Sequence, residues 1–302
     1  MDNKFQCIEA ILLNLKGAYA LNTIRAYYAD ARMFVDWCYE RQFEPFPLSS
    51  DTLQKLIEYM QVDYSYGSIR RKISALKRLN SMLGFDDVQP TEDLYLTIRR
   101  LKRSKLISQK QAVGINHHLL VQMISAQPQT IVGIRNRALL SLGYDFLARR
   151  SELIALLQDD ITFTADGALK GMIRKSKTDQ YGRGRLVFGS ERSAKLLEHW
   201  LQQKPKTIHT LFCAINHRRC LDRPICDRNV NNIIKNSVLR VKSFEKHNEA
   251  EVSGHSLRVG AAQDLLIKGY DLATIMRAGG WSDPSTVSRY LRFSHQNIWQ
   301  RG

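Results

Sequence analysis

The spacing of apolar residues over roughly the first hundred positions constrains the fold most. Apolar side chains recur at the three- and four-residue intervals of one helix face in four stretches: CIEAILLNL, TIRAYYADARMFVDWCYE, TLQKLIEYMQ and SIRRKISALKRLNSMLG. Ser49, Ser50 or Asp51 can cap the third of these helices, and Gly84 follows the fourth, where a glycine often ends a helix. We therefore predict an all-helical domain of four or five helices over residues 1–103.

The pattern changes in the next part of the chain. The segment RRLKRSKLISQKQAVG is basic and polar without an apolar stripe, so we predict a linker at 104–114. Helical patterns resume in a second domain, 115–302, where the stretch DITFTADGALKGMIRKSKTDQYGRGRLVFGS interrupts them with short runs separated by glycines. Such runs are typical of an antiparallel sheet of three strands. The predicted fold is mainly α with a small antiparallel β-sheet.

The charge of the chain favours a polyanionic partner. Forty-five Lys and Arg against 29 Asp and Glu give a formal net charge of +16, which suits nucleic acid better than a small neutral ligand. One predicted helix holds Arg70, Arg71, Lys72, Lys77 and Arg78, and its apolar positions Ile69, Ile73, Leu76 and Leu79 face inward. This basic side can face phosphates or can simply be a solvated surface. We predict DNA contacts from Arg25, Arg70, Arg71, Lys77 and Arg103.

Several other classes of protein fit poorly. No apolar run approaches the ~20 residues of a transmembrane helix, and acidic residues interrupt the start, MDNKFQCIEAILLNLKG, so it does not resemble a secretion signal. The five cysteines form no C-x-x-C pair, which indicates reduced thiols and no zinc site. We expect a cytoplasmic, DNA-bound protein at the nucleoid, with no membrane partner.

Four stretches of the second domain place polar residues on otherwise apolar elements. They hold Arg149 and Glu152 in ARRSELIAL, Lys177 in SKTDQYGRG, His255 and Arg258 in SGHSLRVGAA, and Trp281 and Tyr290 in GGWSDPSTVSRY. In the last stretch, Asp283 is a candidate N-cap and Pro284 suits the first turn, so Tyr290 is expected about two turns into a helix.

These residue types fit attack on a phosphodiester. Two guanidinium groups can neutralise the charge that gathers on the non-bridging oxygens, without a metal ion. A histidine can donate to the same oxygens or relay a proton, and a lysine can protonate the leaving sugar oxygen. A phenol is a poor nucleophile at neutral pH unless such groups help it. The resulting tyrosine–phosphate ester conserves the bond energy, so no cofactor is required.

The same stretches resemble the tyrosine recombinases of the phage integrase family. FLARRSEL matches the family's first arginine with Arg149, Arg150 fills a variable position, the hairpin lysine matches Lys177, and the H-x-x-R box matches His255 and Arg258. Trp281 matches a His-or-Trp position and Tyr290 the nucleophile. The tryptophan makes the pattern more similar to the Cre recombinase subgroup than to Xer or lambda-type enzymes.

The resemblance implies a helical core-binding domain and a mixed α/β catalytic domain, which form a C-shaped clamp on DNA. It implies a site-specific recombinase that works through a 3′-phosphotyrosine intermediate and a Holliday junction, on double-stranded DNA with inverted arms, as a synaptic tetramer without a small-molecule substrate. Glu152 is expected to orient a basic group of the site. Twelve residues follow Tyr290, so we expect a short C-terminal helix, and we expect no extra arm-binding domain.

Three alternatives stay open. A type IB topoisomerase-like enzyme would nick, swivel and reseal one strand with a similar site. A catalytically silent DNA-binding repressor would keep the fold and not cleave. Within the site, Lys175 is the reserve for Lys177, because several basic residues surround the hairpin, Arg174, Arg183 and Arg185 among them.

Overall fold

The computed structural model describes residues 2–105, 112–174, 184–242 and 252–291. The chain divides into two compact units, Met1–Gln109 and Lys110–Gly302, each with its own hydrophobic core. Over the described ranges, no helix has both the length and the apolar character needed to cross a membrane.

In its described part, the first unit contains five helices: α1 (Asp2–Asn14), α2 (Leu21–Glu40), α3 (Ser50–Met60), α4 (Tyr66–Met82) and α5 (Glu92–Lys105). The four helices predicted from apolar spacing are all present. Ser49 caps α3, since its hydroxyl accepts a hydrogen bond from the Thr52 amide at 3.0 Å. Gly84 follows α4 with a φ of 86°, a left-handed conformation that glycine adopts without steric cost.

The basic residues of α4 do not all face solvent or DNA. Its apolar positions Ile69, Ile73, Leu76 and Leu79 are buried as predicted. Lys72, however, is buried as well, with its ammonium 2.9 Å from the buried carboxylate of Asp30 on α2. Arg71 binds the same carboxylate while half of its side chain stays exposed. An internal carboxylate therefore neutralises part of the charge that the sequence assigns to this helix.

The basic segment after residue 98 begins as a helix. Helix α5 continues to Lys105, so it covers residues 99–103 of the predicted helical domain and extends two residues into the predicted linker at 104–114. Leu94 and Leu101 are buried and Ile98 packs beside them, which gives α5 an inward stripe of one apolar residue per turn. Within the basic segment, Arg99, Arg100 and Lys102 surround Leu101, so the sequence shows no stripe there.

The second unit contains eight helices and five strands in its described part: α6 (His117–Ser125), α7 (Ile131–Asp145), α8 (Arg150–Ala155), β1 (Ile161–Phe163), β2 (Leu169–Ile173), β3 (Arg185–Gly189), α9 (Glu191–Gln203), β4 (Cys213–Asn216), β5 (Arg219–Pro224), α10 (Asp227–Leu239), α11 (Ser256–Ile267), α12 (Leu272–Gly279) and α13 (Pro284–Leu291). Helix α7 is central, and every residue from Arg135 to Tyr144 is buried. It packs against α9 and α11.

Strands β1, β2 and β3 form the predicted antiparallel sheet in that order, with Gly171 opposite Ile161 and Val187 opposite Gly171. The β4–β5 hairpin is not among the predicted elements. Its two-residue turn consists of His217 and Arg218, with φ values of 43° and 63°. Such turns usually contain Asn-Gly or Asp-Gly, so the common sequence signal for a hairpin is missing here.

A close backbone contact fixes the start of α11. A Cβ atom on Gly260 would lie 1.9 Å from the carbonyl oxygen of Ile115, so only glycine allows this approach. The Ile115 amide donates to the Ser256 carbonyl at 2.9 Å. These contacts hold the first turn of α11, where two of the predicted site residues lie.

Candidate active site

Arg149 lies at the turn between α7 and α8. Its backbone is extended, and it precedes the first residue of α8 as the N-cap. The Glu152 carboxylate accepts from the Arg149 amide at 2.9 Å and from the Arg149 Nη1 at 2.6 Å. The Arg149 Nη2 donates to the Gly280 carbonyl at 3.4 Å. Glu152, which is only 2% exposed, therefore orients Arg149 through both its backbone and its side chain.

Arg258 lies in the first turn of α11 and is also 2% exposed. Its Nη1 donates to the Leu147 carbonyl. Its Nη2 is buried, and it has no hydrogen-bond acceptor within the described part of the chain. Burial, and then the nearby charge of Arg149, lower the pKa of Arg258 to about 9, against a smaller opposing effect of Glu152. The guanidinium remains charged at neutral pH and has a donor to offer to a ligand.

Trp281 covers Arg258 from the loop after α12. Gly280 ends that helix in the left-handed conformation, with a φ of 65°, and the Trp281 amide donates back to the Met276 carbonyl at 3.0 Å. The Arg258 Cζ atom lies 3.8 Å from the centroid of the indole, which is a cation–π contact. A Cβ atom on Gly279 would lie 1.9 Å from the indole, so a glycine there makes room for the ring.

Tyr290 is brought to the same cluster by α13. Asp283 caps this helix as predicted, because its carboxylate accepts from the Ser285 amide at 2.9 Å. Tyr290 is the seventh residue of the helix, and its ring centroid lies 5.9 Å from that of Trp281. The Gln263 side chain on α11 donates to the Tyr290 carbonyl at 3.0 Å. Tyr290 and Arg258 also interact electrostatically.

His255 is the N-cap of α11 and has an exposed edge. Partial desolvation, and then the charges of Arg150, Arg258 and Arg149, lower the pKa of His255 below 6.5, while Asp227 opposes them. The ring is thus mainly neutral at pH 7 unless an anion binds beside it. At neutral pH the positive charge around this ring therefore comes from Arg149, Arg150 and Arg258.

A family model described as Phage integrase family matches residues 114–297. The chain belongs to the phage integrase family. The match includes every residue that the sequence analysis placed in the catalytic site.

Individual relatives agree with the family assignment. The chain is 27% identical over 288 residues to an integrase/recombinase XerD homolog of Selenomonas ruminantium, with 92% of this chain and 83% of that protein covered. It is 24% identical to the recombinase Cre of Escherichia phage P1, with 92% and 85% covered. Since Xer and Cre proteins both appear among the relatives, the predicted Cre subgroup stays a prediction.

The fold also matches a solved member of the family. The structure of XerH site-specific recombinase bound to a palindromic difH substrate superposes with a TM-score of 0.72 at 18% identity, over 98% of this chain and 84% of that one. The mainly helical fold with small antiparallel sheets is thereby confirmed.

Two further arginines lie beside the candidate site residues but were not assigned to the site from the sequence. Arg185, at the start of β3, donates to Glu152 at 3.1 Å. Its position is two and four residues before the buried Val187 and Gly189, so strand alternation could have indicated that it faces inward. Arg150 packs against Gly254, where a Cβ atom would lie 1.9 Å from the Arg150 Cδ, and it pairs with Asp227 at 3.2 Å.

Other predicted residues lie elsewhere. Lys177 and its reserve Lys175 fall outside the described residues. In the first unit, Arg25, Arg70 and Arg103 are exposed, Lys77 is half-buried, and Arg71 binds Asp30 as described above. Among the residues that the structure describes, no three His, Cys, Asp or Glu side chains are grouped as metal ligands.

Proposed function

We propose that this chain is a site-specific DNA recombinase that cleaves and rejoins DNA strands through a tyrosine–phosphate ester. The observation that carries the proposal is the buried Nη2 of Arg258, which lacks an acceptor in the described ranges and belongs to one cluster with Arg149, Trp281 and Tyr290. A buried charged donor without a partner is costly. A non-bridging phosphate oxygen would satisfy it.

In the proposed reaction, the Tyr290 phenol gives its proton to the neutral His255 ring as its oxygen attacks the scissile phosphorus and forms a new P–O bond. The bond between phosphorus and the 5′ sugar oxygen breaks, and Lys177 gives that oxygen its proton. The products are a 3′-phosphotyrosine joint and a free 5′-hydroxyl. A 5′-hydroxyl from another strand reverses these steps, which restores Tyr290 and joins the strands.

The other site residues act on the charge of the phosphate. Arg149 and Arg258 neutralise the two non-bridging oxygens as negative charge develops on them. His255 donates to one of these oxygens, and Trp281 holds the Arg258 guanidinium in place. Glu152 orients Arg149, in agreement with its hydrogen bonds to the Arg149 amide and side chain.

We assign DNA recognition to the helical domain, predicted at 1–103 and extended by α5 to Lys105, together with the catalytic domain at 115–302. Arg25, Arg70, Arg71, Lys77 and Arg103 contact phosphates of one DNA arm. Two arms in inverted orientation flank the crossover region, and four protomers exchange strands in a synaptic tetramer through a Holliday junction. XerH, whose fold this chain resembles, is bound to a palindromic substrate, and this supports two DNA arms in inverted orientation.

A two-duplex reaction tests the function. Footprinting on DNA that flanks the gene first defines the binding site, and two differently labelled duplexes with that site are then incubated with the protein. Recombinant duplexes are the expected product. Relaxation of supercoils without sequence preference and without recombinants would indicate a type IB nicking–closing enzyme instead, and tight binding without any covalent joint would indicate a repressor.

A further inference from the structure

Arg185 is a third arginine in the cluster, and the Glu152 carboxylate is the one partner that it shares with Arg149. Its side chain is only 13% exposed. Nη1 donates to the carbonyl oxygens of Phe146, at 3.1 Å, and of Ala278. Nη2 donates to the Glu152 carboxylate at 3.1 Å. One guanidinium therefore joins the end of α7, the last turn of α12 and the carboxylate on α8.

The same side chain packs against the turn that carries Trp281. A Cβ atom on Gly280 would lie 2.8 Å from the Arg185 Nε and 2.9 Å from its Cδ. Gly280 also has the left-handed φ of 65° and accepts a hydrogen bond from Arg149. The position of Gly280, and hence the start of the Trp281 loop, is defined by Arg185 on one side and Arg149 on the other.

The charges in this cluster show why a second cation is useful beside Glu152. The Glu152 carboxylate binds Arg149 at 2.6 Å and Arg185 at 3.1 Å. With Arg149 as its sole partner, the carboxylate would cancel the charge that Arg149 offers to a phosphate. With Arg185 also present, two guanidiniums share one carboxylate, and a net positive charge remains.

We propose that Arg185 is a positioning residue of the recombination site, which compensates the charge of Glu152 so that Arg149 keeps its charge for the phosphate, and which fixes the Gly280–Trp281 turn. This inference rests on the proposed function. Arg185 acts through Glu152, Arg149 and Gly280, and its hydrogen bonds in the described chain all go to protein groups.

The test uses three variants: Arg185→Met, Arg185→Lys, and a double variant that combines Arg185→Met with Glu152→Gln. A nicked duplex that traps the covalent joint gives the single-turnover cleavage rate, and a filter-binding titration gives DNA affinity. For Arg185→Met we expect affinity within about twofold of wild type and cleavage slower by roughly 10- to 100-fold, because the loss affects the transition state. Arg185→Lys, which keeps the charge, should recover most of the rate.

The double variant shows whether Arg185 acts by compensating the charge of Glu152 or only by packing. If Arg185 offsets Glu152, removal of the carboxylate charge should make the double variant cleave faster than Arg185→Met alone. The proposal is overturned if Arg185→Met cleaves at the wild-type rate. It is also overturned if the Met and Lys variants are equally slow and Glu152→Gln gives no recovery.

A measurement without DNA keeps this inference separate from the proposed function. The indole N–H resonance of Trp281, identified by its loss in Trp281→Phe, should shift in Arg185→Met and stay near its wild-type position in Arg185→Lys. If the wild-type protein forms no covalent joint and this resonance shifts as expected, the proposed function fails while the positioning role stands. An unchanged resonance in Arg185→Met would disprove that role.

Discussion

The Arg258 guanidinium carbon lies 3.8 Å from the centroid of the Trp281 indole. Both side chains are buried, and the Leu147 carbonyl binds one end of the guanidinium. The ring covers a face of the cation and has no acceptor atom of its own, since an indole only donates. Trp281 therefore contributes shape and a cation–π contact to the site, and the proton chemistry falls to other residues.

Replacement of Trp281 by Ala should be strongly destabilising. Loss of a buried aromatic ring typically costs about 3–5 kcal/mol of unfolding free energy. Trp281→Phe keeps an aromatic face over Arg258 and is expected to cost roughly 1–2 kcal/mol. Urea denaturation of both variants gives the comparison, and equal losses would show that the ring over Arg258 has no specific value.

Tyr290→Phe should bind its DNA site with affinity within about twofold of wild type and should form no covalent joint. The phenyl ring keeps the packing against Trp281 and removes only the nucleophilic oxygen. A nicked duplex followed by denaturing electrophoresis detects the joint. A trapped protein–DNA species in this variant would mean that another residue is the nucleophile.

Two glycines with left-handed backbones form a matched pair. Gly269 has a φ of 88°, and a Cβ atom added there would meet no other atom within 4 Å. Gly280 has a φ of 65°, and a Cβ atom added there would lie 2.8 Å from the Arg185 Nε. Gly269→Ala should therefore cost only the backbone term of about 1–2 kcal/mol. Gly280→Ala adds a steric overlap of about 1–3 kcal/mol and should also slow cleavage. Similar stability of the two variants in thermal unfolding would contradict the close contact.

The Asp30 carboxylate should be essential for the stability of the first unit. Asp30→Asn leaves Lys72 buried without its counter-charge, which is expected to cost about 3–5 kcal/mol. The matched control is Asp36→Asn on the same helix, because Asp36 and its partner Arg32 are 61% and 60% exposed. That exposed pair should contribute less than about 1 kcal/mol. Denaturant titration of both variants measures the difference.

The lowered pKa of His255 predicts a pH effect of known sign. Below the unfolded-state value of 6.5, the unfolded chain binds a proton at this position more readily than the folded protein. Stability should therefore fall as the pH is lowered from 6.5 towards the folded pKa, and less steeply in His255→Gln. The ring resonance should titrate below pH 6.5 in the free protein and at a higher pH on DNA, whose phosphate favours the charged ring. A midpoint above 6.5 without DNA would contradict the structure.

Local sequence patterns predict a helix or strand correctly where one face of that element is uniformly apolar. Helices α2, α3 and α4 follow from a period of 3.6 residues, and the β1–β3 sheet follows from short runs separated by glycines. The basic segment shows no apolar stripe because Leu101 is the one inward residue of α5 that lies within it. The β4–β5 hairpin was not predicted because His217 and Arg218 replace the usual turn residues.

Within the site, the sequence predicted the residues but not their partners. Arg149, His255, Arg258, Trp281 and Tyr290 could be selected because each is a polar or aromatic residue at a helix start or end that matches the family pattern. The bond between Arg185 and Glu152 spans 33 residues, and that between Arg71 and Asp30 spans 41. Strand alternation indicates that Arg185 faces inward, but no local pattern shows that Arg185 or Arg71 binds a carboxylate so distant in the sequence.

The tight turn at His217 and Arg218 offers a practical route to a more thermostable protein. Both residues hold a left-handed backbone, a conformation that costs most side chains free energy and that Asn and Gly adopt with less strain. Exchange of this pair for the usual Asn-Gly, through His217→Asn and Arg218→Gly, would relieve that strain while leaving the Arg258 and Tyr290 neighbourhood chemically untouched. The hairpin is thus a convenient place to engineer tolerance to heat.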